Sequence, residues 1–148
     1  MNKTEQFNQY LKQKDKISTN QLDDFFAQLD PIDIEELIGK WQGSVFFMGL
    51  SKLEIVLKNF YILKWFGKLF LNSNQVKALI FSFLGIKFNI PGGTAVLRKI
   101  EYRGKVSTSM IYNYLPIIDN FRKIDDQTVM GVTEIKGRVG IYFYLKRM

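Results

Sequence analysis

From Thr94 onward, apolar and polar residues alternate in short runs, 95–103, 105–114, 117–124, 128–135 and 140–146, divided by Gly104, Pro116, Asp125-Asp126 and Lys136-Gly137. Period-two alternation broken by turn residues at roughly 8–12-residue spacing predicts short strands in an antiparallel meander, which closes into a barrel or packs as a sandwich. Residues 41–48 read as an earlier strand, with Trp41, Val45 and Phe47 set against Gln42, Ser44 and Phe46. Weaker apolar runs follow at 62–71, 77–83 and 88–90, and Pro91-Gly92-Gly93 is a turn rather than a phosphate loop, because no Lys-Ser/Thr or helix follows it. At Arg103-Gly104 a two-residue turn would pair Glu101 with Val106 and put unlike residues on one face, which favours a bulge in a longer strand.

Helical spacing is confined to the first part of the chain. Leu22, Phe25, Phe26 and Leu29 recur at i, i+3, i+4 and i+7 behind Ser18, with Gln21 at the capping-box position. Asp30-Pro31, followed by Asp33, Glu35 and Glu36, predicts a second short helix, with Asp30 as N-cap and Pro31 at the first helical position, ending at Gly39. Leu53, Val56, Leu57 and Phe60 share a helical face over 51–60, a segment placed to cover one end of a barrel. Residues 1–17 are polar apart from Phe7, Tyr10, Leu11 and Ile17, and read as a flexible or helical N-terminal arm. Residues 18–148 then form a single domain, with no linker and no internal repeat.

Composition narrows the chemistry. There is no Cys and no His, which excludes disulfides, thiolate sites, imidazole bases and His-ligated metals within one chain. The acids have no EF-hand spacing, so neither a metal nor a cofactor is expected. Lysines interrupt every long apolar stretch, so no membrane span is expected, and the polar N-terminus predicts a cytoplasmic protein. The net charge of +7 is uneven: residues 1–50 carry 5 basic and 8 acidic groups, the remainder 16 and 6. Without adjacent basic runs or a nucleic-acid-binding signature, nucleic acid is not the expected partner. Aromatic residues make up 15% of the chain, which suits a β-rich core or an aromatic-lined cavity.

Two blocks carry a resemblance. Gly39-Lys40-Trp41-Gln42-Gly43, with the later Lys64-Trp65-Phe66-Gly67-Lys68-Leu69-Phe70, looks like the start of a lipocalin-type barrel whose Trp closes the narrow end. Glu101-Tyr102-Arg103-Gly104-Lys105-Val106-Ser107, Met110-Ile111-Tyr112, Pro116-Ile117-Ile118-Asp119-Asn120-Phe121-Arg122-Lys123-Ile124-Asp125-Asp126 and Met130-Gly131-Val132 form the second and more specific block. Over about residues 28–147 the chain resembles bacterial proteins that pair a GXWXG domain (here 18–70) with a DUF4334 domain (here 94–148). The resemblance implies a mainly β, antiparallel lipocalin-like barrel with N-terminal helices. It makes Gly39, Trp41 and Gly43 a structural motif, with Arg147 over the Trp41 face, and implies no activity. Asn120 stands where the family pattern often carries His and offers only hydrogen bonds.

A barrel that holds a hydrophobic acid needs an apolar cavity, one or two cations for the carboxylate and a Tyr hydroxyl beside them. Arg98, Arg103 and Arg122 are the arginines that stand out as cations, Arg98 and Arg122 enter the candidate ligand-binding set, and Tyr102 and Tyr112 are the candidate hydroxyls. Met110, Asn120 and Trp65 complete the candidate ligand-binding set. Met110 and Tyr112 belong inside on strand alternation. On the strand through 118–124, Ile118, Asn120, Arg122 and Ile124 share one face, and neither face is cleanly apolar. The structural alternative for Arg122 is an ion pair with Asp119 or Asp125 at the rim, and Glu101 would pair with Arg98 or Arg103. The expected function is non-catalytic binding of a small hydrophobic, anionic ligand. One alternative is a cofactor-free isomerase or hydrolase using a Tyr/Asp/Arg site in the same cavity. Another is an interaction module in which Leu22, Phe25, Phe26 and Leu29 recruit a partner, a second copy included.

Overall fold

Closure of the sheet on itself is the main architectural fact. The computed structural model describes residues 1–46, 48 and 63–148, with Leu63 and Lys64 described by backbone alone; the segment 51–60, read as a helix from its periodicity, lies outside these. Nine strands occur among the described residues: β1 (Gly39–Val45), β2 (Leu63–Asn72), β3 (Gln75–Phe83), β4 (Ile86–Asn89), β5 (Thr94–Tyr102), β6 (Lys105–Tyr112), β7 (Ile117–Asp125), β8 (Thr128–Ile135) and β9 (Arg138–Arg147). Antiparallel neighbours run β2-β1-β9-β8-β7-β6-β5-β3, and a further β2–β3 pairing completes the ring. The chain is therefore a closed eight-stranded antiparallel barrel, with β4 an appendage on the second half of β3. Closure removes the sheet edges that an open meander would expose.

Alternation along each strand sorts the side chains. Trp41, Leu97, Met110, Tyr112, Phe121, Val129, Phe143 and Leu145 point into one buried interior cluster. The opposite positions Ile124, Met130, Val132 and Tyr142 pack outward, against Phe7, Leu22, Phe25, Phe26 and Leu29 from the N-terminal helices. The barrel thus has two apolar layers, one inside and one beneath the helices, and this gives the predicted β-runs their mixed faces.

Three helices precede the barrel: α1 (Lys3–Lys12), α2 (Thr19–Ala27) and α3 (Ile34–Leu37). The N-terminal arm is helical: Asn2 and Glu5 form a capping box, and Phe7 is buried on the barrel wall. Ser18 and Gln21 cap α2 reciprocally, satisfying donors that the first turn leaves without partners. Its apolar stripe, Leu22, Phe25, Phe26 and Leu29, is 0% exposed, which removes it as a docking face for a partner.

Two local expectations are corrected. The short helix starts after Asp33, not at Asp30-Pro31; the Asp30 carbonyl instead accepts the Lys123 N–H, drawing the segment onto β7. Arg103-Gly104 is a two-residue hairpin turn, with Glu101 opposite Val106 and Tyr102 opposite Lys105. Both turn residues have positive φ, 50° and 80°, as a turn matched to strand twist requires. Unlike residues on that face are tolerated because Glu101 and Val106 are both exposed.

Candidate functional site

Trp41 closes one end of the barrel. Its indole Nε1–H donates to the Leu37 carbonyl at 2.7 Å, and the Arg147 guanidinium lies 4.2 Å from its ring centroid. Arg147 in turn donates to the Glu36 and Ile38 carbonyls, which have no intrahelical partner at the end of α3. The glycines on either side leave room for these contacts. Gly39 has φ +131°, and a Cβ there would sit 3.3 Å from Arg147 Nη1. A Cβ on Gly43 would sit 2.5 Å from Cη2 of Trp65, so the second glycine of the motif seats the second tryptophan.

The other end holds a cavity of about 300 Å³. Its lining comes from the ends of β3, β6 and β8 and the starts of β2, β7 and β9, which antiparallel pairing gathers at one end of the ring. Trp65, Phe81, Ile141 and Phe143 provide most of its apolar wall. Within that wall stands a polar cluster that burial alone would not permit. Lys68 Nζ lies 3.1 Å from Asp119 Oδ2, and each side chain is 2% exposed. Lys68 also donates to the Ala78 carbonyl at 3.0 Å and to the Tyr112 hydroxyl at 3.3 Å. The second Asp119 oxygen accepts from Thr133 Oγ1 at 2.9 Å. All three ammonium protons have acceptors, the condition for keeping an ion pair out of water.

Burial lowers the Lys68 pKa against the pull of Asp119, and it holds the Tyr112 hydroxyl well above the ordinary tyrosine value, with the Asp119 carboxylate adding to the rise. Tyr112 therefore stays protonated as a donor. Trp65 differs from these three. It is 9% exposed, stacks edge-on with Phe143 at 5.7 Å, and its Nε1 has no hydrogen-bond partner among the described residues.

The candidates read from the sequence divide between the two faces of the wall. Trp65 and Tyr112 line the cavity. Met110 points inward but packs in the core beyond the cavity lining. Arg98, Tyr102, Asn120 and Arg122 occupy outward positions. Arg98 is bound to Ser73 and Asn74 at the β2–β3 turn, and Tyr102 packs against the helix layer. Asn120 accepts from Ser109 at 2.8 Å, leaving its Nδ2 without a partner.

Arg122 is 1% exposed and donates to the carbonyls of Phe26, Tyr102 and Arg103, with its guanidinium 4.3 Å from the Phe26 ring centroid. It caps the C-terminal end of α2 where the helix dipole is negative, and so it neither reaches the cavity nor pairs with Asp119 or Asp125. Asp125 instead accepts from Thr4 and from the Gln127 N–H, and Arg103, not Glu101, takes part in an ion pair, with Asp23. Lys68, Asp119 and Thr133 were missed. The available signal was a Lys inside the apolar run 65–70, and an Asp sharing strand parity with Ile117 and Phe121.

The sequence of the C-terminal part, residues 93–147, matches the family described as "Domain of unknown function (DUF4334)", and residues 24–83 match "GXWXG protein". A protein from Thermomonospora curvata, known from its crystal structure, is 30% identical over 100% of this chain and 99% of that one, with a TM-score of 0.86. The chain belongs to the GXWXG–DUF4334 family. No curated protein matches it. Within this family member the GXWXG element has a physical meaning: its Trp closes one end of the barrel, and its second Gly accommodates a Trp of the cavity at the other. Lys68 belongs to the GXWXG part and Asp119 to the DUF4334 part, so this buried ion pair, like the more exposed Lys99–Asp33 and Lys123–Glu36 pairs, ties the two segments together. Among the described residues no helix is long and apolar enough to cross a membrane.

Proposed function

We propose that this barrel binds a small, predominantly hydrophobic molecule in the cavity between Trp65, Phe81, Ile141 and Phe143. The observation that carries the reading is a cavity of about 300 Å³ with an aromatic and aliphatic wall at one end of a barrel closed at the other. An apolar ligand of that size gains roughly 25 cal/mol for each Å² of apolar surface removed from water. An anionic ligand is disfavoured, because Arg98 and Arg122 lie outside the cavity and the cation within it, Lys68, is already neutralised by Asp119.

Native mass spectrometry of freshly purified protein, followed by extraction and identification of the bound molecule, tests the reading. A near-stoichiometric apolar compound is expected. An empty protein that also fails to take up naphthalene-sized hydrocarbons would overturn it. The cavity-filling variant Ile141→Phe should weaken binding without unfolding the barrel.

One observation favours a second reading. Tyr112, kept protonated by burial, stands beside Asp119 and Lys68 inside the cavity, a cluster of perturbed polar groups of the kind that active sites carry. Cofactor-free isomerase or hydrolase chemistry through Tyr112 and Asp119 is that reading. It ranks second because Lys68 and Asp119 already satisfy one another. Turnover of a ligand found by extraction, abolished in Tyr112→Phe, would place it first.

A further inference from the structure

The cavity has an uneven hydrogen-bonding inventory. The Lys68 ammonium is saturated by Asp119, Ala78 and Tyr112, and both Asp119 oxygens are engaged, by Lys68 and Thr133. Two buried side-chain polar atoms lack a partner among the described residues, Asn120 Nδ2 and Trp65 Nε1, and of these residues only Trp65 lines the cavity. An indole N–H is a donor and nothing else. The benzo edge of Trp65 is seated against Gly43, and Phe143 packs edge-on to the ring.

We infer that Trp65 Nε1–H is the ligand's polar anchor, and that the ligand is a neutral apolar molecule carrying one hydrogen-bond acceptor, of the ketone, aldehyde or ester class. The inference rests on the binding reading above and specifies the chemistry of that same site. Neutrality follows from the charge balance. Lys68 and Asp119 cancel, and a carboxylate placed here would lose its hydration for a single N–H bond. The acceptor requirement follows from the orphaned donor, because a buried N–H without a partner is disfavoured and a purely hydrocarbon ligand would leave it so. The wall around Trp65 supplies apolar contact, and the one unpartnered N–H on a lining residue fixes which end of the molecule faces it.

The test uses three matched probes and the whole protein: 2-acetylnaphthalene, 2-ethylnaphthalene and 2-naphthoate. Binding is measured by calorimetry in wild type and in Trp65→Phe. The ketone should bind wild type about fivefold more tightly than the hydrocarbon, the factor expected of one net hydrogen bond. In Trp65→Phe that ratio should collapse to about one, with hydrocarbon affinity kept within about twofold.

A folding-independent readout comes from the two tryptophans of the chain. In a ¹H–¹⁵N spectrum of wild type, the ketone should move one indole N–H signal downfield, that of Trp65, and leave the Trp41 signal, already bonded to Leu37, in place. Equal affinity for ketone and hydrocarbon, with no shift of the Trp65 N–H, would overturn the anchor while leaving an apolar binding cavity intact. Tightest binding of the naphthoate would overturn the neutrality argument. Binding of none of the three would overturn both the anchor and the binding reading.

Discussion

Lys68 and Asp119 form an ion pair at 3.1 Å inside the barrel, with each side chain 2% exposed. The register brings the two together from β2 and β7, strands separated in the sheet by β1, β9 and β8 on one side and by β3, β5 and β6 on the other. A charge pair at this depth is stable only because Ala78, Tyr112 and Thr133 complete its hydrogen bonds.

Removing one member should therefore be worse than removing both. Lys68→Met and Asp119→Asn are each expected to destabilise the fold, Lys68→Met by about 3–5 kcal/mol because it leaves a buried carboxylate unpaired. The double variant should lose well under the sum of the two. Urea denaturation of the four proteins gives the coupling, and strict additivity would show that the pair does not act as a unit.

Alkaline pH should show how firmly the cavity holds the Tyr112 proton. Its hydroxyl pKa is raised above 10.0 in the folded state, chiefly by burial. Above pH 10.0 the unfolded chain loses that proton first, so the stability that Tyr112 contributes falls as pH rises. Lys68 acts in the opposite sense below 10.5. Its folded pKa is lowered, the unfolded chain holds the proton longer, and stability grows with pH up to that value. In the folded protein, Tyr112→Phe should leave the phenolate absorbance developed by pH 10.0 unchanged; a loss of absorbance there would show that burial does not hold the Tyr112 proton.

Gly43 and Gly67 should differ in their tolerance of a methyl group. In Gly43→Ala the new Cβ meets Trp65 Cη2 at 2.5 Å, and a side chain can shift; a loss of about 1–3 kcal/mol is expected, with a change in Trp65 fluorescence. In Gly67→Ala the Cβ meets the Trp41 carbonyl oxygen at 1.9 Å, and the strand backbone would have to move. Gly67→Ala is expected to be the more damaging, and thermal melts that rank the two in reverse would contradict this packing.

Arg122→Met should lower stability by about 2–4 kcal/mol, because three carbonyls lose a charged donor and α2 loses its cap. Affinity for an apolar probe, measured where the variant remains folded, should be unchanged. A selective loss of binding at normal stability would put Arg122 in the site after all.

Strand content, the capped helix α2 and most of the strand-dividing turns follow from local pattern, since period, caps and turn residues act over a few positions along the chain, whereas the Trp41 plug follows only from the family resemblance and the Arg103-Gly104 hairpin reads locally as a bulge. The site was only partly legible for a different reason. On β7 neither face is cleanly apolar, because both are buried, one against the interior and one beneath α2; alternation separates Asp119 from Asn120 and Arg122 but cannot say which of them faces inward. Ring closure decides it. It directs Asp119 toward Lys68, places the Arg122 guanidinium against the end of a helix, and leaves the buried Trp65 N–H without a partner among the described residues. The sequence alone determines that these strands form and that Trp41 has room between two glycines. Only the tertiary structure decides which polar residues are inside, because a buried charge becomes tolerable through partners contributed by distant strands.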